Sequence, residues 1–187
     1  MRIRRARAED AGAVGALLAV YVEQGLLLPR TPEAIRGAIG DFLVAVDGGA
    51  VVGCVALELY GARRNGLAEI RSLAVDPSLK THGVGRRLVE ALEQEARDAG
   101  LHAIFAFTYV PDFFRKVGFH EVERGELPLK VWKDCLRCPK FQCCDEIAVL
   151  KALRPDAVIS AGPEPEAALI QLPHVKQNGA RTSPGLR

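Results

Sequence analysis

The 187-residue chain has no apolar run approaching the roughly 18 residues of a membrane-spanning helix, which excludes that class of protein. Its opening, MRIRRARAEDAG, has basic residues but neither an apolar stretch nor a cleavage site behind them, so no secretory signal is expected and the cytoplasm is the expected location. Aromatic residues are few, 6% of the chain, and the net charge is only +2. Without a basic face interleaved with aromatics, nucleic acid is not an expected partner. The G-x-x-x-x-G-K-[ST] phosphate motif is missing, as is the third glycine of the dinucleotide fingerprint. No internal repeat is evident. The five cysteines are expected to be reduced in this compartment unless they hold a metal.

What is present is an ordinary globular composition, 49% hydrophobic and 26% charged, with two alternating periodicities over residues 1–153. Ile3 to Ala6 can form a first strand. A helix follows, with Val14, Leu17, Leu18 and Tyr21 at helical spacing, Asp10 as N-cap and Gly25 as stop. Thr31-Pro32-Glu33 starts a second, shorter helix. DFLVAVDGGAVVGCVALELY reads as a hairpin turning at Asp47-Gly48-Gly49, and LAEIRSLAVDP as a further strand. From Gly85 to Ala99 a helix buries Val84, Leu88, Leu92 and Ala96 and ends at Gly100. HAIFAFTY is a strand, PDFFRKVG a short helix, FHEVE a strand and DEIAVLKAL a last strand. Residues 154–187 are rich in proline and glycine without a sustained period, and are expected to be a flexible tail.

The stretch SLAVDPSLKTHGVGRRLVEAL joins a strand to a helix through Gly83 and Gly85. Glycines there allow a phosphate to approach backbone amides closely, and a helix N-terminus favours an anion. Read with its surroundings, Lys80-Thr81-His82-Gly83-Val84-Gly85 resembles the R/Q-x-x-G-x-G/A coenzyme loop of the GNAT N-acetyltransferases, with Lys in place of Arg or Gln. The resemblance implies an α/β (α+β) fold: a mixed, mostly antiparallel sheet flanked by helices, with a parallel, splayed strand pair at the acetyl-CoA site. It places pantetheine along the backbone of Leu73, Ala74 and Val75, and the pyrophosphate at the amides from His82 to Arg86.

Four further segments resemble bacterial N-acetylglutamate synthases in order: YVEQGLLLPRTPEAI, FLVAVDGGAVVGCVALELY, AEIRSLAVDP and FAFTYVPDFFRKVGF. They imply acetyl transfer from acetyl-CoA to the α-amine of L-glutamate, the entry to arginine biosynthesis. A dicarboxylate acceptor calls for a bidentate arginine, and Arg30 matches the family's carboxylate-binding one. Glu69 matches the proposed base, acting through water; a partly buried carboxylate suits that task. Ser72 stands where the family often has Cys, and the Phe107 backbone helps position substrate. Thr108 matches a hydroxyl able to protonate the departing thiolate, with Tyr109 a second candidate. The helix position where many relatives carry a Tyr donor is Phe114 here.

Residues 124–145 depart from that pattern. The arginine and serine that contact substrate in the long synthases are unmatched, leaving Lys130, Lys133 and Lys140 as substitutes. Cys135, Cys138, Cys143 and Cys144 could ligate zinc. Adjacent Cys143 and Cys144 would diverge in a strand, and reduced thiols packed as small apolar groups are the favoured reading. Two alternatives to a glutamate acetyltransferase stay open: a GNAT enzyme for another amine, or a non-catalytic sensor of acetyl-CoA or metal. The oligomeric state, a homodimer included, is not fixed by the sequence.

Overall fold

The computed structural model describes residues 1–60, 66–127, 140 and 143–155. Its elements run β1 (Arg2–Arg5), α1 (Ala11–Glu23), α2 (Pro32–Gly37), β2 (Phe42–Asp47), β3 (Ala50–Tyr60), β4 (Leu67–Val75), α3 (Val84–Asp98), β5 (Ala103–Thr108), α4 (Pro111–Lys116), β6 (His120–Glu121) and β7 (Ile147–Ala152). This is the expected order, with β6 cut to two residues. The strands form one sheet in the order β1-β2-β3-β4-β5-β7-β6.

Local chemistry accounts for the element ends. The hairpin closes on Gly48 and Gly49, both at positive φ, with Asp47 facing Ala50. Two consecutive left-handed residues are what a tight turn between right-twisted strands requires. Thr31 caps α2, its hydroxyl accepting the Ala34 N–H at 3.1 Å, with Pro32 at the first helical position. Asp10 differs from expectation. It sits before α1 without capping it, because its carboxylate faces backwards: Arg4 donates to it at 2.6 and 2.9 Å and the Arg7 N–H at 2.7 Å. The Arg4 hydrogen bond foremost holds the Asp10 carboxyl below the usual range. A bidentate guanidinium is a stronger partner than a helix amide, so it claims the side chain.

Helices cover the sheet on both faces. α1 and α2 pack Val14, Leu18, Tyr21 and Ile35 onto Phe42, Val44, Cys54 and Ala56. α3 packs Val84, Leu88, Leu92 and Ala96 onto Leu43, Val55, Ile70 and Ile104 on the other face. Leu88 and Leu92 are no more than 1% exposed, and each contributes roughly 1.5–3 kcal/mol by burial.

Two irregularities in β4 shape everything that follows. β4 and β5 are parallel neighbours, but only Leu67–Glu69 pair with Ala103–Phe105. Both strands continue, so Ile70–Val75 have no β5 partner and the pair splays. Against β3, the register jumps from Ala56↔Arg71 to Cys54↔Ala74, so two β4 residues oppose one on β3. At this bulge Ser72 adopts φ +54, a left-handed conformation costing about 1 kcal/mol for a residue with a Cβ.

Candidate active site

The open end of the splay is bordered by the start of α3. Gly83 precedes the helix at φ +73, turning the chain so that α3 begins at the next residue. The amides of Val84, Gly85 and Arg86 have no carbonyl one turn back, while Arg87 N–H reaches Gly83 O at 3.1 Å. The His82 N–H is engaged in the turn, donating to Leu79 O at 3.1 Å, and its side chain is exposed. The stretch that can take an anion is therefore Gly83 to Arg86, with the helix dipole behind it. A Cβ at Gly85 would lie 3.5 Å from the Phe113 ring and 3.7 Å from Val75 Cγ2, ordinary contact distances that place this turn against the ring and the end of β4. Lys80 and Thr81 are exposed beside it, with Lys80 Nζ 4.9 Å from the centre of the Tyr21 ring. Tyr21 in turn donates to Val75 O at 2.5 Å, tying α1 to the end of the splayed strand.

The opposite end is made of side chains. Strand alternation and the β3–β4 register put Glu58, Tyr60, Glu69 and Arg71 on one face, with Glu58 directly across from Glu69. Glu69 is 9% exposed and its Oε2 accepts the Tyr60 hydroxyl at 2.9 Å. Arg71 bonds Glu58 and lies 3.8 Å from Glu69. Burial first, and the Glu69 charge second, push the Tyr60 hydroxyl well above its usual range, so it stays a proton donor at neutral pH. Arg30 is half-buried over the Phe42 ring, and its Nη1 donates to Ser72 Oγ at 3.3 Å. The loop between α1 and α2 thus delivers its arginine to the β4 bulge.

At the end of β5, Phe105 and Phe107 share the Glu69 face, while Ile104 and Ala106 belong to the α3 side. Alternation assigns Thr108 to the α3 side, across the sheet from Glu69. Its Oγ1 accepts the Val110 N–H at 3.0 Å, leaving the hydroxyl hydrogen to donate. Tyr109 accepts from Lys140 Nζ at 3.2 Å, and Lys140 also lies 3.5 Å from Gly25 O, at the root of the Arg30 loop. Burial pushes the Tyr109 hydroxyl up; the Lys140 hydrogen bond opposes this, and the Glu146 and Asp145 charges add to it. Phe114 is core, packed edge-on against Phe113 and Phe119.

Cys135, Cys138, Lys130 and Lys133 lie outside the described residues. Cys143 is exposed, and Cys144 Sγ lies 3.2 Å from Arg124 Nη2. Among the described residues no group of three potential metal ligands converges. Cys54 is buried, and burial pushes its thiol up to about 12, a packing residue without nucleophilic character. Sequence reasoning missed Tyr60, Glu58 and the Tyr21 tie. The first two could have been found from ELY and EIR only with the strand register in hand, and the sequence between them leaves the register open.

A seven-stranded sheet with one splayed parallel pair and a glycine-turned helix start at its mouth defines a class. The acetyltransferase (GNAT) family matches residues 12–125, and the chain belongs to it. It is an acetyl-CoA-dependent N-acetyltransferase. An uncharacterized N-acetyltransferase of Chlorobaculum tepidum is 41% identical over 81% of this chain and 96% of its own length. The amino-acid acetyltransferase of Mycobacterium tuberculosis is 36% identical over 72% of this chain and 77% of its own. In structure, the chain resembles N-acetylglutamate synthase from Neisseria gonorrhoeae complexed with coenzyme A and N-acetyl-glutamate. The TM-score is 0.74 at 28% identity, over 82% of this chain. This chain spans 35% of that synthase.

Proposed function

We propose that the protein acetylates the α-amine of L-glutamate. The observation that carries this is the meeting of Arg30 with Ser72 at the β4 bulge, three residues from the buried Glu69. A carboxylate-binding guanidinium and a proton acceptor flank the point where the backbone turns toward the donor. The names of the M. tuberculosis relative and the N. gonorrhoeae structure support the same substrate class.

In this reading pantetheine lies along Leu73, Ala74 and Val75, with the pyrophosphate on Gly83–Arg86. Lys80, Thr81 and the His82 side chain line the approach. Arg30 holds the α-carboxylate of glutamate, and the Phe107 backbone aligns the main chain of the acceptor. The α-ammonium gives its proton through a water to Glu69. The freed lone pair attacks the thioester carbonyl, whose developing oxyanion meets the amide of Leu73 beyond the bulge. As the tetrahedral intermediate collapses, the C–S bond breaks and the thiolate takes the proton of Thr108, with Tyr109 as the second donor, while the surplus proton on the new amide nitrogen passes through water to restore that hydroxyl. Both partners are held in one complex, so no acyl-enzyme is required.

One observation favours a second reading, a neutral acceptor side chain. The carboxylates of Asp145 and Glu146 act on Tyr109 near the acceptor end, and would oppose a second substrate carboxylate unless Lys140 offsets them. A coenzyme A release assay over the amino acids decides: glutamate as the best acceptor supports the proposal. Turnover of glutamine or another amine without glutamate replaces the substrate and keeps the reaction class.

A further inference from the structure

We propose that Tyr60 is a positioning residue for the proton acceptor: its hydroxyl fixes the Glu69 carboxylate and keeps it ionised inside the sheet. The inference rests on the reading of Glu69 as the base.

A base must carry negative charge before it can accept a proton, yet burial in a site of low dielectric disfavours the charged form. Glu69 is 9% exposed and therefore needs a donor. Three groups on its own face bear on it among the described residues. Arg71 is a cation bonded to Glu58, and its Nε stands 3.8 Å from Glu69, an ion-pair distance beyond hydrogen-bond reach, so it adds charge without fixing the carboxylate's orientation. Glu58, directly across the ladder, is a like charge and pushes the other way. Tyr60 donates directly to it, with a hydroxyl 2.9 Å from Oε2. On the β5 side Glu69 sits beside Phe105, which is apolar.

The donor is itself well held. Tyr60 is 8% exposed, and its ring packs against Phe105 with centroids 5.8 Å apart. The side chain is thus located by its ring and free to direct its hydroxyl. Burial and the neighbouring carboxylate keep that hydroxyl protonated, so the proton in the pair stays on oxygen of Tyr60 and the charge on Glu69. Through catalysis the Tyr60 O–H does not break. It orients the carboxylate that receives the substrate proton through water.

Tyr60→Phe tests this, because it retains the ring contact with Phe105 and removes only the donor. The acidic limb of kcat/KM for the acceptor reports the free enzyme's base. Loss of a hydrogen bond to the charged form should move that limb up by about one pH unit. Activity should return to within about threefold of wild type well above the limb, as expected when a base has only become harder to ionise. The carboxyl 13C shift of Glu69, followed by NMR, should titrate upward by the same amount without any turnover. A limb and a carboxyl titration that stay in place, with the whole profile scaled down, would overturn the proposal and leave Tyr60 a packing residue. Glu69→Gln separates the two levels. If it abolishes the limb while Tyr60→Phe leaves it unmoved, the positioning role alone falls; if the limb survives Glu69→Gln, the reading of Glu69 as base falls and takes this inference with it.

Discussion

The two ends of the β4 cleft are built from different materials. In the proposed reading the working parts of the donor end are backbone: the run Ile70–Val75, which has no β5 partner, and the first amides of α3, set by a glycine at φ +73. At the acceptor end they are side chains, contributed by the α1–α2 loop, β3, β4 and β5. A coenzyme common to a whole family can be met by amides, which any sequence supplies once the chain is bent correctly. An acceptor that distinguishes one enzyme from another has to be met by chosen side chains. The difference predicts that substitutions will separate into two kinetic classes.

The largest effect should come from Glu69→Gln, which keeps shape and hydrogen bonding but removes the proton acceptor. The expected outcome is a fall in kcat of about 10²-fold or more with little change in KM for acetyl-CoA. An unchanged kcat in steady-state assays would break the side-chain account of the acceptor end. Arg30→Ala comes next: KM for glutamate should rise by about 10- to 100-fold, the effect of losing a charge-assisted hydrogen bond, while KM for acetyl-CoA moves less than about twofold. Equal shifts in both constants would join the two ends that the structure keeps apart. Gly83→Ala acts in the opposite sense. A Cβ at φ +73 meets no neighbouring atom within 4 Å, so the penalty is conformational, about 1 kcal/mol. KM for acetyl-CoA should rise several-fold on distortion of the amide cradle, with KM for glutamate unchanged, and the melting temperature should drop by a few degrees.

The smallest kinetic effect belongs to Asp10→Asn, remote from both ends. The Asp10 carboxyl is held below its usual range in the folded state. Its stabilising contribution is therefore present above the unfolded value of about 3.9 and lost as pH falls through the lower folded value. The variant should melt lower at neutral pH, by an amount equivalent to about 1 kcal/mol, and the gap to wild type should close in acid melts. Its kinetic constants should match wild type.

How much of this was legible in the sequence follows the same division. Gly83 and Gly85, the apolar run before them and the four-residue spacing of Val84, Leu88, Leu92 and Ala96 are neighbours in the chain, and local physics decides them. The strand-turn-strand around Gly48-Gly49 is equally local. Arg30 and Glu69 became candidates through resemblance, but their surroundings did not. That Arg30 reaches Ser72, 42 positions away, depends on how α1 seats on the sheet. That Tyr60 touches Glu69 depends on a register that composition does not encode. Asp10 shows the limit within a single turn: its sequence context suits a helix cap, and a basic side chain from the preceding strand takes it instead.

The bulge at Ser72 also works as a shift of reading frame. Upstream of it, odd-numbered β4 residues, Glu69 and Arg71, face the α1 side, and Ala68 and Ile70 face α3. Downstream the parity is inverted: Ala74 packs with α1 and Val75 with α3. Each half of the strand is consistent only within its own frame. Deleting one residue between Arg71 and Leu73 would leave every amino acid of β4 chemically intact, yet force one half to present its wrong face, either carboxylate and guanidinium into the α3 core or Val75 out of it. Single-residue insertions and deletions here should therefore be far more damaging than any point substitution at the same positions, a contrast that a deletion scan across residues 70–74, read by soluble yield and melting temperature, would display directly.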